Sequence, residues 1–217
     1  MSRYKRRRRL NPNFILLCIA LVLAAANVIV FLGRGGKGLP GEGVELPAYV
    51  EADYLIKNEY SRPGIPLEEI RGIVIHYVGN PGTSARANRG YFNGLALSHE
   101  TYASSHFIVG LEGEVIACVP LTEVAYASNE RNDDTVSIEV CHADDTGKYS
   151  PETYEAVVEL TAWLCGTFGL EAEEDVIRHY DVTGKICPKY YVEHPEAWEQ
   201  LKADVAQRCA AQKNEIC

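Results

Sequence analysis

The chain has 217 residues, 47% of them apolar, enough for one soluble domain with a sizeable core. It carries 21 Lys and Arg against 30 Asp and Glu, a net charge of −9. Six of the basic residues, Arg3, Lys5, Arg6, Arg7, Arg8 and Arg9, stand at the start; without them the balance is 15 against 30, near −15, which argues against nucleic acid as a partner.

Residues 1–13 form a basic head that suits the anionic cytoplasmic face of a membrane. Residues 14–32 are 19 in number and apolar except for Asn27. About 20 apolar residues cross a bilayer as a helix, so this segment predicts a single transmembrane anchor. The positive flank keeps the N-terminus in the cytoplasm and sends the rest outside. A cleaved signal peptide is the competing reading, because Ala24-Ala25-Ala26 resembles a cleavage site and would yield a secreted protein. The apolar residues continue through Val28-Ile29-Val30-Phe31-Leu32, which favours the anchor. Residues 33–47 are rich in Gly and Pro and read as a flexible linker. The domain proper is expected over 48–217.

Within it, 72–78 is a short β-branched run that predicts a buried strand. Residues 84–92 could form a short helix. Strands at 106–111 and 114–119, with Glu112-Gly113 between them, predict a hairpin. Val136, Ile138 and Val140 alternate in a fourth strand over 135–141. Ser150-Pro151-Glu152 begins a helix that Gly169 ends. Val176-Ile177 predicts a fifth strand running into His179, and Pro195 opens a last helix to about Arg208. The fold class is therefore α/β: a mixed sheet flanked by helices, preceded by the single apolar anchor.

Seven cysteines are present. Cys18 lies in the apolar segment. Cys118 and Cys141 end strand-like runs and suit buried thiols. An exported location permits disulfides. Spacing alone leaves the pairing of Cys118, Cys141, Cys165, Cys209 and Cys217 open, although Cys209 and Cys217 could close a small loop.

The segment from Arg178-His179-Tyr180-Asp181 to Lys185-Ile186-Cys187-Pro188 concentrates the chemistry. His179 and Cys187 are both zinc-ligand types, and His76 closes the run Gly72-Ile73-Val74-Ile75 upstream. Alone, each histidine is more often a satisfied core or surface residue, and the cysteine a buried thiol. Together they are three ligands that leave one zinc position open, as in hydrolytic sites. Asp181 is the nearest spare ligand, or an orienting neighbour. Glu139 lies inside an apolar strand, beside Ser137 and Cys141 in the alternation. Burial there would raise its pKa, as general acid–base work requires. Lys185 could serve a developing oxyanion.

Four motifs occur in order: Val74-Ile75-His76-Tyr77, Ser104-Ser105-His106-Phe107-Ile108-Val109, Asn132-Asp133-Asp134-Thr135-Val136-Ser137-Ile138-Glu139, and the His179–Cys187 segment. Over about 70–206 the chain resembles the zinc-dependent N-acetylmuramoyl-L-alanine amidases of the phage-lysozyme and peptidoglycan-recognition-protein type. The resemblance implies a mixed sheet with flanking helices and a peptidoglycan substrate. The amide cut would be that between N-acetylmuramic acid and L-alanine. It implies Zn2+ on His76, His179 and Cys187, Glu139 as general base, and Lys185 near the reacting carbonyl. Tyr77 and His106 fall in the substrate pocket. Some members carry a catalytic tyrosine where this chain has Ser105, which shifts the weight to Glu139. Others carry aspartate as third ligand, so Cys187 should be reduced and metal-bound.

Two other readings compete: a tethered module that only binds peptidoglycan, and a membrane-tethered structural protein whose zinc serves folding. The tether suits wall close to the membrane, hence remodelling by the cell; the sequence leaves the oligomeric state open, with a monomer the default expectation.

Overall fold

Val50–Ala52 (β1), Gly72–Ile75 (β2), Phe107–Val109 (β3), Val115–Ala117 (β4), Thr135–Val140 (β5) and Val176–Arg178 (β6) form one sheet in the order β1-β4-β3-β5-β2-β6. All neighbours are parallel except β3 and β4, the expected hairpin, whose turn places Gly113 at φ 83°. The computed structural model describes residues 38–216. The basic head and the 14–32 segment, with its expected membrane crossing, lie outside the described residues. Among those described, no helix is long and apolar enough to cross a membrane.

Among the described residues six α-helices accompany the sheet: Ala85–Ser98 (α1), Pro151–Phe168 (α2), Ala172–Asp175 (α3), His179–Thr183 (α4), Lys189–Glu193 (α5) and Pro195–Ile216 (α6). Helix α2 starts and stops where its sequence says. Ser150 accepts a hydrogen bond from the Thr153 N–H, Pro151 sits in the first turn, and Gly169 ends the helix at φ 68°. Loss of such a cap costs about 1 kcal/mol. One face of the sheet, with Ile73, Ile75, Phe107, Val109, Val136, Ile138 and Val140, packs on Val157, Leu160 and Leu164 of α2 and Leu201 and Val205 of α6. Each such side chain contributes ~1.5–3 kcal/mol by leaving water. The opposite face carries Ile108, Ile116, Cys118 and Cys141, packed on Ala85, Phe92 and Leu95 of α1. Cys118 and Cys141 are buried thiols there.

Four expectations need correction. The compact unit starts at Leu39, so residues 39–47 are not linker. Val44 and Leu46 pack against the core, and Gly41 lies so close to Leu121 that a Cβ would stand 2.5 Å from the Leu121 Cβ. His179 opens the short helix α4 rather than a loop, with Gly184 closing it at φ 77°. Helix α6 runs on to Ile216, and α1 to Ser98, because neither stretch holds a proline and nothing else stops them earlier. Strand β1, three residues at the sheet edge, was not expected.

Candidate metal centre

Register builds the site. In β2 and β5, Ile75 pairs with Ile138, and the ladder continues because the His76 N–H donates to the Ile138 carbonyl at 2.9 Å. Ile75 also pairs with Arg178 at the end of β6. Glu139 near the end of β5, His76 just past β2 and His179 just past β6 therefore stand side by side at the C-terminal ends of three adjacent parallel strands. That is where open α/β sheets bind ligands. The loop after α4 brings in the last donor: the Tyr180 N–H binds the Cys187 carbonyl at 2.9 Å.

The His76 and His179 rings lie 4.6 Å apart, and Cys187 Sγ is 3.9 Å from His76 Nδ1. One ligand atom from each of the three residues fits within 4.8 Å of the others, and all three residues are buried. Each imidazole is held from behind. His76 Nε2 meets Ser128 Oγ at 3.1 Å, and His179 Nε2 meets Asn129 Oδ1 at 3.0 Å. An amide oxygen only accepts, so His179 carries its hydrogen on Nε2 and turns a bare Nδ1 lone pair inward. That Nδ1 is buried and has no partner. The Asn132 side chain fixes both supports by accepting from the Ala127 and Ser128 N–H groups, at 3.0 and 2.6 Å. Asn129 itself adopts φ 52°, a conformation asparagine tolerates. The Tyr149 hydroxyl donates to the His76 carbonyl at 3.2 Å.

Electrostatics agree with a ligand role. Burial, then the neighbouring His179 and Lys185, hold His76 well below the usual histidine range. Burial and Lys185 lower His179 as well. Both imidazoles are thus neutral and able to donate lone pairs. Burial pushes the Cys187 thiol up to about 12, with Glu139 adding to it, while the Tyr77 N–H and Lys185 pull the other way. Burial likewise pushes Glu139 up to about 8, opposed by Lys185, and its Oε2 is buried without a partner. A bare imidazole lone pair, an unpartnered carboxylate oxygen and a thiol facing an imidazole together suit a cation. Two nitrogens and a sulfur fit zinc by ligand type.

The remaining expected residues fall in two groups. Lys185 is exposed on the loop after α4, and its charge reaches Glu139 and all three donors. Tyr77 lies at the rim, half-buried and stacked on His142 at 5.0 Å. His106 does not reach the site. Its ring is buried, its Nδ1 accepts from the Ser137 N–H at 3.0 Å, and its Nε2 donates to the Glu123 carbonyl at 3.0 Å. With both nitrogens engaged in the core it has nothing to offer a substrate, which corrects its placement in the pocket. Asp181 is no ligand, because both oxygens bind Arg178: Oδ1 takes Nη2 at 2.7 Å and Oδ2 takes the main-chain N–H at 2.8 Å. Ser105 is buried and donates to the Phe107 carbonyl at 2.8 Å. Ser128, Asn129 and Tyr149 were missed: each lies about 50 or more residues from the histidine it supports, and only the Asn132 motif hinted at that loop.

Solved structures share this arrangement of sheet and helices, and so define its class. The catalytic domain of XlyA superposes with a TM-score of 0.61 at 22% identity, covering 72% of this chain and 98% of that one. The Staphylococcus aureus hydrolase AmiA, solved with its ligand, gives 0.58 at 18% identity over 81% of this chain and 90% of that one. At these identities the likeness concerns the fold. The particular family follows from sequence: the Amidase_2 model, described as N-acetylmuramoyl-L-alanine amidase, matches residues 66–190, and the chain belongs to that family. A probable N-acetylmuramoyl-L-alanine amidase of Bacillus licheniformis is 40% identical over 147 residues, 62% of this chain and 41% of that protein. The amidase BlyA of Bacillus subtilis is 32% identical over 169 residues, 69% of this chain and 44% of that protein. The match thus spans less than half the length of these curated relatives.

Proposed function

We propose that this protein hydrolyses the amide between N-acetylmuramic acid and L-alanine in peptidoglycan, with zinc held by His76, His179 and Cys187. The observation that carries the reading is the convergence of three buried donors beside an unpartnered Glu139 carboxylate at one strand edge. Membership of the amidase family supports the choice of substrate.

Bound there, zinc supplies Lewis acidity for a carbonyl, a lowered pKa for a water, and positive charge that draws Glu139 down to its working range. Glu139 takes the proton of the attacking water and later delivers it to the leaving alanine nitrogen, so one carboxylate serves as base and then acid. Lys185 places a mobile ammonium where the carbonyl oxygen gains charge. Ser128 and Asn129 hold the two imidazoles so that Nδ1 faces inward. Tyr77 forms part of the rim that meets the stem peptide.

The basic head and the apolar 14–32 segment support a single-pass anchor with the domain outside the cytoplasmic membrane. A domain tethered so close to the membrane acts on nearby wall, which suits remodelling.

Glu139→Gln tests the centre of this reading. The variant should keep its metal and lose turnover by ~10²-fold or more on purified cell wall, read as release of free stem peptide. Unchanged turnover would remove Glu139 from the mechanism.

A further inference from the structure

Away from the metal centre, two thiols meet between α2 and α6. Cys165 is buried on α2 and Cys209 is half-buried on α6. Both side chains line the same cavity wall where the two helices pack. Cys209 Sγ also donates to the Ala162 carbonyl at 3.6 Å, one turn before Cys165 on the same helix. Their neighbours are small: Gly166 follows Cys165, and Ala206 and Ala210 flank Cys209. These residues line one cavity of about 590 Å³. Among the described residues the other thiols have other partners: Cys118 donates to the Ile116 carbonyl, Cys141 accepts from the Asn88 amide, and Cys187 faces His76.

We propose that Cys165 and Cys209 are the site of an intramolecular disulfide that joins α2 to α6. Cys209 Sγ against the α2 backbone one turn before Cys165, a shared cavity wall and small flanking residues on both helices answer what the bond needs, which is close backbones and facing side chains. The oxidant is a disulfide, either a small molecule or a dithiol–disulfide oxidoreductase. Cys209, the more exposed thiol, attacks one oxidant sulfur as thiolate. The oxidant S–S bond breaks, one thiolate leaves, and a mixed disulfide forms on Cys209. Cys165 then loses its proton to solvent, attacks Cys209 Sγ and expels the second thiolate. Two protein thiols thereby lose two electrons and two protons, and the oxidant disulfide becomes two thiols. Burial raises both thiols, Cys165 to about 12, so exchange in the folded domain is slow and the finished bond is shielded. The inference is independent of the amidase reading.

The test uses the full chain in mild detergent. It is incubated with oxidised glutathione, alkylated with N-ethylmaleimide and digested without reduction. Mass mapping should find a linked pair of peptides holding Cys165 and Cys209, about 2 Da lighter than their sum. Reductant should lower Tm by roughly 5–15 °C, the range for one structural disulfide in a domain of this size. Cys209→Ser should show neither the linked peptide nor a Tm response to reductant. Recovery of both cysteines as N-ethylmaleimide adducts overturns the proposal, and so does a Cys209–Cys217 peptide in its place. The mapping on the unaltered chain decides the matter even where the variant folds poorly.

Discussion

The two sides of the sheet differ in their polar atoms: among the described residues the side under α2 and α6 has one buried side-chain atom without a partner, Thr161 Oγ1, and the other side has two. Under α2 and α6 the side chains of β2, β3 and β5 are apolar and closed: Ile73, Ile75, Phe107, Val109, Val136, Ile138 and Val140. On the other face the same strands carry His76 and Glu139, and there His179 Nδ1 and Glu139 Oε2 are buried without partners. A buried polar group without a partner costs ~1–3 kcal/mol. The first face supplies the stability on which the second spends its unsatisfied donors. The proposed function thus draws on the face opposite α2 and α6, while the closed face fixes the registers that align the donors.

Removing a donor should break the open face most severely. Cys187→Ala should weaken zinc binding by more than about a thousandfold, beyond the ~10–100-fold that loss of an outer support costs. Competition with a chromogenic chelator reads this directly, and activity should vanish with the metal. The fold should survive, since the closed face is untouched; retained zinc affinity would mean that Cys187 is not a ligand.

The closed face should fail in the opposite way. Leu160→Ala removes a fully buried side chain from α2 and should cost about 2–5 kcal/mol. Urea unfolding should show the loss, while the activity of the folded fraction and its zinc affinity stay near those of the unaltered protein. A fall in zinc affinity comparable to that of Cys187→Ala would show that the faces are not separable.

His106 sharpens the contrast, since it is a polar residue that is satisfied. Burial holds it down to about 4, against an ordinary value of 6.5, with hydrogen bonding to Glu123 opposing. The unfolded chain takes up its proton near 6.5, and the folded chain only near 4. This contribution is fully present above 6.5 and is lost as pH falls through the folded value. The expected loss is roughly 2–3 kcal/mol between pH 7 and pH 4. Stability of His106→Gln, measured by urea unfolding at pH 7, 6, 5 and 4, should be lower but flatter. Equal slopes in the two proteins would refute the assignment.

Legibility in the sequence followed the same division. The alternation of Val136, Ile138 and Val140 marked the closed face correctly, and the Ser150-Pro151 start and Gly169 stop of α2 were local signals with local causes. His76, His179 and Cys187 announced themselves by residue type and are brought together. What failed depended on long-range packing. His106 had the right type and motif, but its strand directs the ring to Ser137 and the Glu123 carbonyl. Residues 39–47 have a linker's composition, yet Gly41 is there because Leu121 lies against it. Asp181, a spare ligand or an orienting neighbour by sequence, is the local exception: Arg178, three residues earlier, takes both its oxygens. Strand β1, with three residues, is too short to carry a period.

Ser128 and Asn129 are the least legible part of the site, and they yield the smallest of these effects. Neither can touch the reacting atoms if the inward nitrogens are the ligands, so their action must pass through the imidazoles. Asn129→Ala leaves His179 Nε2 without its acceptor, freeing the ring to rotate and to place its hydrogen on Nδ1. Zinc affinity should fall ~10–100-fold. Asn129→Asp keeps an acceptor oxygen at that place and should recover most of the loss, which a general defect of the turn would not allow. Should Asn129→Ala bind zinc as tightly as the unaltered protein, the inward Nδ1 would be set by packing of the ring alone, and the open face would need no hydrogen-bonded support behind its donors.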